Sequence, residues 1–236
     1  MSPRPKLAHI RKPQIIEAAL QTIYERSFSE TRIGDIAERA GTSAPTILYY
    51  FESKEALLEE ALAYSDREFY QRVRDEIAPL ATASERLVAL VERCSAPADP
   101  LDDWTLWMEM WLQARHRPLL RAAYAHLERI GLAPLIADVI HEGQSSGEFD
   151  AGVDAEEVAT ILSALLDGLG VQVTLGLPDM SALRMARLCL SVASRELGCE
   201  LALPPGSRQH GKSRDVPAAT TNGDAARRRA RSARSG

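Results

Sequence analysis

The sequence predicts an all-α protein with three helices at its N-terminus and a second helical domain of about six helices. Apolar residues recur at spacings of three and four through most of residues 12–197, and no stretch alternates apolar and polar residues for long. Proline and glycine interrupt this pattern at intervals that suit helix ends. With 236 residues, 45% of them hydrophobic, the chain is large enough to bury a real core.

The first helix is predicted over Lys12–Arg26, and it is amphipathic. We expect its apolar face to pack behind the two short helices that follow. That face consists of Ile15, Ile16, Ala19, Leu20, Ile23 and Tyr24.

The stretch Thr31–Lys54 predicts a short helix, a tight turn, a second short helix and the start of a third. Gly41 supplies the left-handed residue that commonly follows a helix end. Ser43 caps the second helix, and Ser53 caps the third, which begins at Lys54. This order, over about residues 32–51, is the helix-turn-helix, whose second helix enters the major groove of DNA.

The same stretch resembles the N-terminal domain of the TetR family of bacterial transcriptional repressors. The resemblance starts near Arg11 and reaches the helix that begins at Lys54, about a quarter of the chain. The alternative is a generic three-helix module for protein contacts. The residues at the family's spacing are Asp35-Ile36-Ala37, Ala40-Gly41, Ser43, Thr46, Tyr49-Tyr50-Phe51 and Ser53-Lys54-Glu55.

The resemblance implies phosphate contacts near the end of the reading helix. Thr46, Tyr50 and Lys54 match the family positions that hold the DNA backbone, and the hydroxyl of Tyr49 lies within reach as well. Lys54 adds a cation to a helix N-terminus that is aimed at phosphate.

Base contacts are expected at the start of the reading helix, from Thr42, Ser43 and Ala44. Such small side chains read bases by methyl or hydroxyl contact rather than by a bidentate fork. The chain departs from the family where Arg32 replaces a capping threonine and Gly34 removes a common arginine. We expect Arg32 to take over a groove or phosphate contact.

A long helix from Lys54 to about Ile77, roughly 35 Å in length, should join this head to the second domain. Further helices are predicted after it, and Pro134 should kink or split one of them. They lie near Ser84–Cys94, Asp102–Arg115, Leu119–Gln144, Asp154–Leu175 and Asp179–Leu197.

The last two of these helices are expected to form the dimer interface, as the matching helices do in the family. The first is apolar on more than one side, and its small residues allow a partner helix to approach closely. Simple packing within one chain is the alternative. The predicted interface residues are Ser163, Ala164, Asp167, Gly168, Leu183 and Leu190.

Three tryptophans at spacings i, i+3 and i+7 share one helix face: Trp104, Trp107 and Trp111. With Met108 they are the predicted effector site. Nearby carboxylates (Asp102, Asp103 and Glu109) would suit an organic cation. Core packing is the alternative for these rings, and a neutral apolar effector would use the rings alone.

The C-terminal half resembles the choline/betaine-regulator branch of the family. The matching residues are the aromatic helix, Glu142-Gly143-Gln144, Gly147-Glu148-Phe149 and Leu166-Asp167-Gly168-Leu169.

The net charge of −5 is unevenly distributed. Residues 1–54 carry +2, residues 55–203 carry −13 and residues 204–236 carry +6. An acidic middle beside a basic reader favours one orientation on DNA. The three cysteines lack metal spacing, no signal peptide is evident, and no run approaches 18 apolar residues, so we expect a cytoplasmic protein without a membrane span.

No motif predicts catalysis, a metal site or a cofactor: the five histidines lack zinc spacing, and no dinucleotide loop or nucleophile elbow is found. The predicted function is a homodimeric repressor that leaves a palindromic DNA operator when a small apolar or cationic effector binds. The alternative is a ligand sensor that retains the helix-turn-helix scaffold without repression. The predicted domains are a flexible arm (1–9), the DNA-binding head (10–55), the ligand-binding and dimerisation domain (56–203) and a disordered basic tail (204–236).

Overall fold

The computed structural model describes residues 5–96, 104–127 and 131–204. Over these ranges the chain forms ten α-helices and no strand, which confirms the predicted all-α fold. The helices are α1 (Pro5–Arg26), α2 (Ile33–Arg39), α3 (Ala44–Tyr50), α4 (Lys54–Ile77), α5 (Ala83–Ser95), α6 (Trp104–Ala114), α7 (Pro118–Leu127), α8 (Leu132–Ser146), α9 (Ala155–Thr174) and α10 (Ala182–Leu197).

Local signals define the helices of the head as predicted. The Ser43 Oγ accepts the Thr46 N–H at the start of α3, and the Ser53 Oγ accepts the Ala56 N–H at the start of α4. Gly41 has a φ of +58°, the left-handed conformation that lets the chain turn between α2 and α3.

Some boundaries differ from the prediction. Because proline is tolerated in the first turn of a helix, α1 begins at Pro5, and residues 5–9 are helical rather than part of a flexible arm. The last helix begins at Ala182, since Ser181 caps it. The predicted helix with Pro134 is split, and Pro134 lies in the first turn of α8. The remaining arm (1–4) and the tail (205–236) lie outside the described residues.

The hydrophobic interior has two clusters. The head core combines α1–α3 and the first half of α4 with Leu106, Met110 and Ala114 of α6. The second core combines the far half of α4 and helices α5, α8, α9 and α10 with Trp104 and Trp107 of α6. Helices α4 and α6 therefore contribute side chains to both cores.

Helix α9 is, among the described residues, the one helix long and apolar enough to cross a membrane. A third of its most apolar window is buried, and the helix packs against α8 and α10. Buried core helices of other proteins meet the same criteria of length and composition, so α9 alone is weak evidence for a membrane span.

Candidate DNA-binding surface and effector site

The predicted DNA contacts lie on α3, in the turn before it and at the start of α4. Ser43 and Thr46 are joined by their hydroxyls, with the two oxygens 2.9 Å apart, and the Ser43 oxygen also accepts the Thr46 N–H. Ala44 is half-buried in the first turn. In this structure the two hydroxyls are therefore engaged with each other and with the helix cap.

Two large side chains stand out on the solvent side of α3. The Tyr49 side chain is 77% exposed, and its ring meets the Tyr50 ring edge to face at 5.3 Å between centroids. Leu48 is 49% exposed, whereas the adjacent Ile47 is fully buried in the head core. Leu48 was not among the predicted contacts, although it lies on the outer side of α3.

Lys54 and Thr42 already have partners within the head. The Lys54 ammonium donates to the Thr31 carbonyl at 3.1 Å and lies 3.8 Å from the Glu55 carboxylate. The Arg11 guanidinium donates to the Thr42 hydroxyl at 3.5 Å, which places an unpredicted cation next to the turn.

Arg32 is exposed and precedes α2 without a side-chain cap, as expected for a replaced threonine. A Cβ added at Gly34 would meet nothing within 4 Å. Packing therefore gives no reason for glycine at this position.

The three tryptophans of α6 are in contact with each other and with α4. Trp104 and Trp107 meet at 4.4 Å between centroids, and Trp111 lies 6.4 Å from Trp104. Two residues that sequence reasoning missed complete this aromatic cluster. The Phe69 ring centroid lies 4.7 Å from that of Trp107, and the Tyr70 ring is stacked on Trp107 with centroids 6.3 Å apart. Their positions on α4 have ordinary core spacing, so no signal in the sequence set them apart.

Burial differs within the aromatic cluster. Trp104 is 2% exposed, and its indole N–H donates to the Cys94 carbonyl. Trp107 is also buried, whereas Trp111 and Met108 are half-buried. The predicted carboxylates Asp102 and Asp103 lie outside the described residues, and Glu109 is half-buried on α6.

A cation already occupies one face of the aromatic cluster. The Arg93 guanidinium lies 5.2 Å from the centroid of Phe69 and pairs with Glu76 at 3.2 Å. The rings can therefore interact with positive charge through their faces.

Residues 142–149, part of the family motif, form a structural clamp. The Phe149 ring occupies the space where a side chain at position 143 would lie. The Glu148 carboxylate accepts the backbone N–H groups of Ala83 and Ser84 at the start of α5. The hydrogen bond from the Ser84 N–H, helped by that from Ala83, lowers the pKa of Glu148 to about 2.

The predicted dimer face is partly exposed. Ala164 and Gly168 lie outward on α9, and a Cβ at Gly168 would meet nothing within 4 Å. Ile161 and Leu188, which the sequence analysis did not select, are 41% and 38% exposed. Ser163, Asp167 and Leu183 are half-buried.

Leu190 of α10 is 2% exposed and belongs to the second core, so it offers little surface of its own. Spacing alone did not reveal which side of α10 its own chain covers.

The described residues contain no group of three His, Cys, Asp or Glu side chains placed to hold a metal ion. Burial raises the pKa of both Cys94 and Cys189 to about 12, so these thiols are protonated at neutral pH.

Comparison with protein families gives two matches that together cover most of the chain. Residues 15–61 match the model of bacterial regulatory proteins of the tetR family. Residues 83–198 match the C-terminal domain of the BetI-type transcriptional repressors.

Individual relatives agree with these matches. The HTH-type transcriptional regulator BetI of Cronobacter sakazakii is 31% identical over 185 residues, and the match covers 73% of this chain and 84% of that protein. BetI of Escherichia coli K12 is 28% identical over 185 residues, 73% of this chain and 87% of that protein.

A transcriptional regulator from Saccharomonospora viridis, solved in complex with choline, is 36% identical and superposes with a TM-score of 0.72 over 79% of this chain and 96% of that one. The chain therefore belongs to the TetR family of DNA-binding transcriptional regulators, with a BetI-type repressor C-terminal domain.

Proposed function

We propose that the protein is a cytoplasmic homodimeric repressor that binds a palindromic operator and releases it when a small organic cation enters the second domain. The observation that carries this proposal is that α6 contributes side chains to both hydrophobic cores. Trp104 and Trp107 belong to the second core, while Leu106 and Met110 of the same helix belong to the head core. A ligand that displaces the tryptophan side of α6 would therefore also displace the side that packs in the head core.

A second contact supports this coupling at the end of α6. Arg117, just after the helix, pairs with Glu59 of α4 at 2.9 Å and lies 4.7 Å from the ring centroid of Phe28 in the head. Its Nε also donates to the Gln113 side chain at 3.2 Å. Arg117 thus connects α6, α4 and the loop before α2.

The chemistry of the aromatic cluster favours a quaternary ammonium compound as the effector. Tyr70 and Trp111 are half-buried at the edge of the cluster, and the buried Trp104 and Trp107 support them from the core. Aromatic cages of this kind bind quaternary ammonium through cation–π attraction. The choline complex of the 36% identical relative agrees with this choice.

The outward residues of α9 and α10 support the homodimer. Ile161, Ala164, Gly168 and Leu188 form an apolar strip in which the small members allow close approach. Two heads related by a two-fold axis would read half-sites about one DNA turn apart or somewhat more.

Fluorescence anisotropy with an operator duplex tests the proposal. The operator is first selected by the full-length protein from a random-sequence pool, and sedimentation gives the stoichiometry. Choline should weaken operator binding by roughly 5- to 150-fold, the usual range of allosteric coupling. Its neutral isostere 3,3-dimethyl-1-butanol, which replaces nitrogen by carbon, should have much less effect.

Two variants locate the effector site. Trp111→Ala should raise the choline concentration needed for release, while operator affinity without choline stays the same. Leu112→Ala, an exposed neighbour on α6, is the control. Equal release by choline and by the isostere would indicate a neutral effector, and no release by either would disprove the proposed cation.

A further inference from the structure

The reading helix lacks the side chains that usually identify purines. Residues 41–53 contain no arginine, lysine, asparagine or glutamine. These side chains form the paired hydrogen bonds to guanine and adenine in the major groove. The one acid, Glu52, follows the end of α3 at Tyr50. Bidentate readout from α3 is therefore absent.

The hydroxyls at the start of α3 are poor substitutes, since the structure engages them internally. The Ser43 oxygen caps the helix by accepting the Thr46 N–H, and it also shares a hydrogen bond with the Thr46 hydroxyl. Breaking these contacts to reach a base edge would uncap a helix of only seven residues.

The outward face of α3 is instead apolar. Pro45, Leu48 and Tyr49 stand at spacings of three and four, and all three are exposed. Leu48 and Tyr49 are 49% and 77% exposed, so both side chains are open to contact. The apolar group that identifies a base in the major groove is the C5-methyl of thymine.

We propose that this protein reads its operator through thymine methyl groups, with Leu48 as the specificity-determining residue and Pro45 and Tyr49 beside it. The proposal rests on the proposed function, because it needs α3 in the major groove. It moves sequence readout from Thr42 and Ser43 to the outer face of the helix. Tyr50 holds the Tyr49 ring edge to face, which fixes one wall of the methyl-binding surface.

Replacement of thymine by deoxyuridine tests this, because it removes the methyl group and leaves every hydrogen-bonding atom in place. Each thymine of the selected operator is replaced singly, and the Kd of the full-length protein is measured by anisotropy. At one or more thymines in each half-site, the uracil duplex should bind about four-fold more weakly, the effect of one buried methyl group. Leu48→Ala should bind the thymine and uracil duplexes equally at that position.

Two further variants complete the test. Leu112→Ala removes another exposed leucine, on α6 and away from α3, and should keep the wild-type ratio of thymine to uracil affinity. Leu48→Met keeps an apolar contact and should retain part of the ratio, which covers the case in which Leu48→Ala binds too weakly to measure.

The outcomes separate this inference from the proposed function. Uracil duplexes that bind within two-fold of the thymine duplex at every position would overturn the inference and leave the repressor function intact. An unchanged thymine preference in Leu48→Ala would overturn it as well. Failure to select any duplex from the pool would remove the repressor function and this inference with it.

Discussion

The head core is mainly aliphatic, whereas the second core contains tryptophans and adds contacts between residues distant in sequence to its local helix caps. Ser43 and Ser53 each cap the helix that follows them directly. In the second domain, Thr82, Asp154 and Ser181 are local caps as well. There, however, Glu148 adds hydrogen bonds to the start of α5 from beyond the end of α8, and Trp104 fills the space beside Gly170 of α9. Local signals thus define helix starts in both domains, and the second domain adds contacts between residues distant in sequence.

The largest loss of stability is expected when a side chain is added at Gly170, beside the Trp104 ring. A Cβ at position 170 would overlap the Trp104 indole, so Gly170→Ala should lower the free energy of unfolding by about 2–3 kcal/mol through overpacking. Gly34→Ala, in a helix with open space and outside the proposed dimer face, is the control. Denaturant unfolding of both variants measures the difference, and equal midpoints would show that the ring moves aside.

Arg117 tests whether the two cores are tied together. Arg117→Ala removes the ion pair with Glu59 and the contact with Phe28, which should lower the stability of the head by about 1–2 kcal/mol. Relative to the wild type, the rate of amide hydrogen exchange should then increase more in α1–α3 than in α8–α10. The exposed Arg115→Ala is the matched control, and uniform protection in Arg117→Ala would argue against the tie.

The clamp at Glu148 should make stability depend on pH. Its pKa is about 2 in the folded protein, so its stabilising effect is present above the ordinary pKa of about 4.5 and is lost as pH falls toward 2. Solvent screening reduces this effect to the order of 1 kcal/mol. The stability of Glu148→Gln should depend less on pH over this range, whereas Glu200→Gln, a change at an exposed acid, should keep the wild-type slope.

The smallest effect is expected in the head. Gly34→Ala places a better helix former in α2 without a clash, so the free energy of unfolding should rise by about 0.5–1 kcal/mol. Thermal unfolding measures the gain. A loss of stability would mean that a partner or the turn needs glycine at this position.

The same contrast explains which predictions succeeded. Gly41, Ser43 and Ser53 were predictable because their partners lie within four residues along the chain. The burial of Leu190 was not predictable, because periodicity identifies an apolar side of a helix but not the element that covers it.

The contacts between helices were harder to predict from the sequence. Phe69 and Tyr70 join the tryptophans only through the packing of α4 on α6, and Glu148 reaches α5 across the fold. No spacing rule along the chain predicts such pairs. The resemblance to the BetI branch marked Glu148 as a motif residue but did not reveal its partner.

The shared helix α6 has a consequence for how such regulators diversify. Leu106, Met110 and Ala114 are held in place by the head, whereas Trp107 and Trp111 belong to the other side. On the proposed function, substitutions on the tryptophan side would change the recognised compound and leave the side of α6 that packs in the head unchanged. A biosensor for a new cation would then be sought by varying positions 107, 108 and 111 together with Tyr70, with the opposite side of α6 kept as it is.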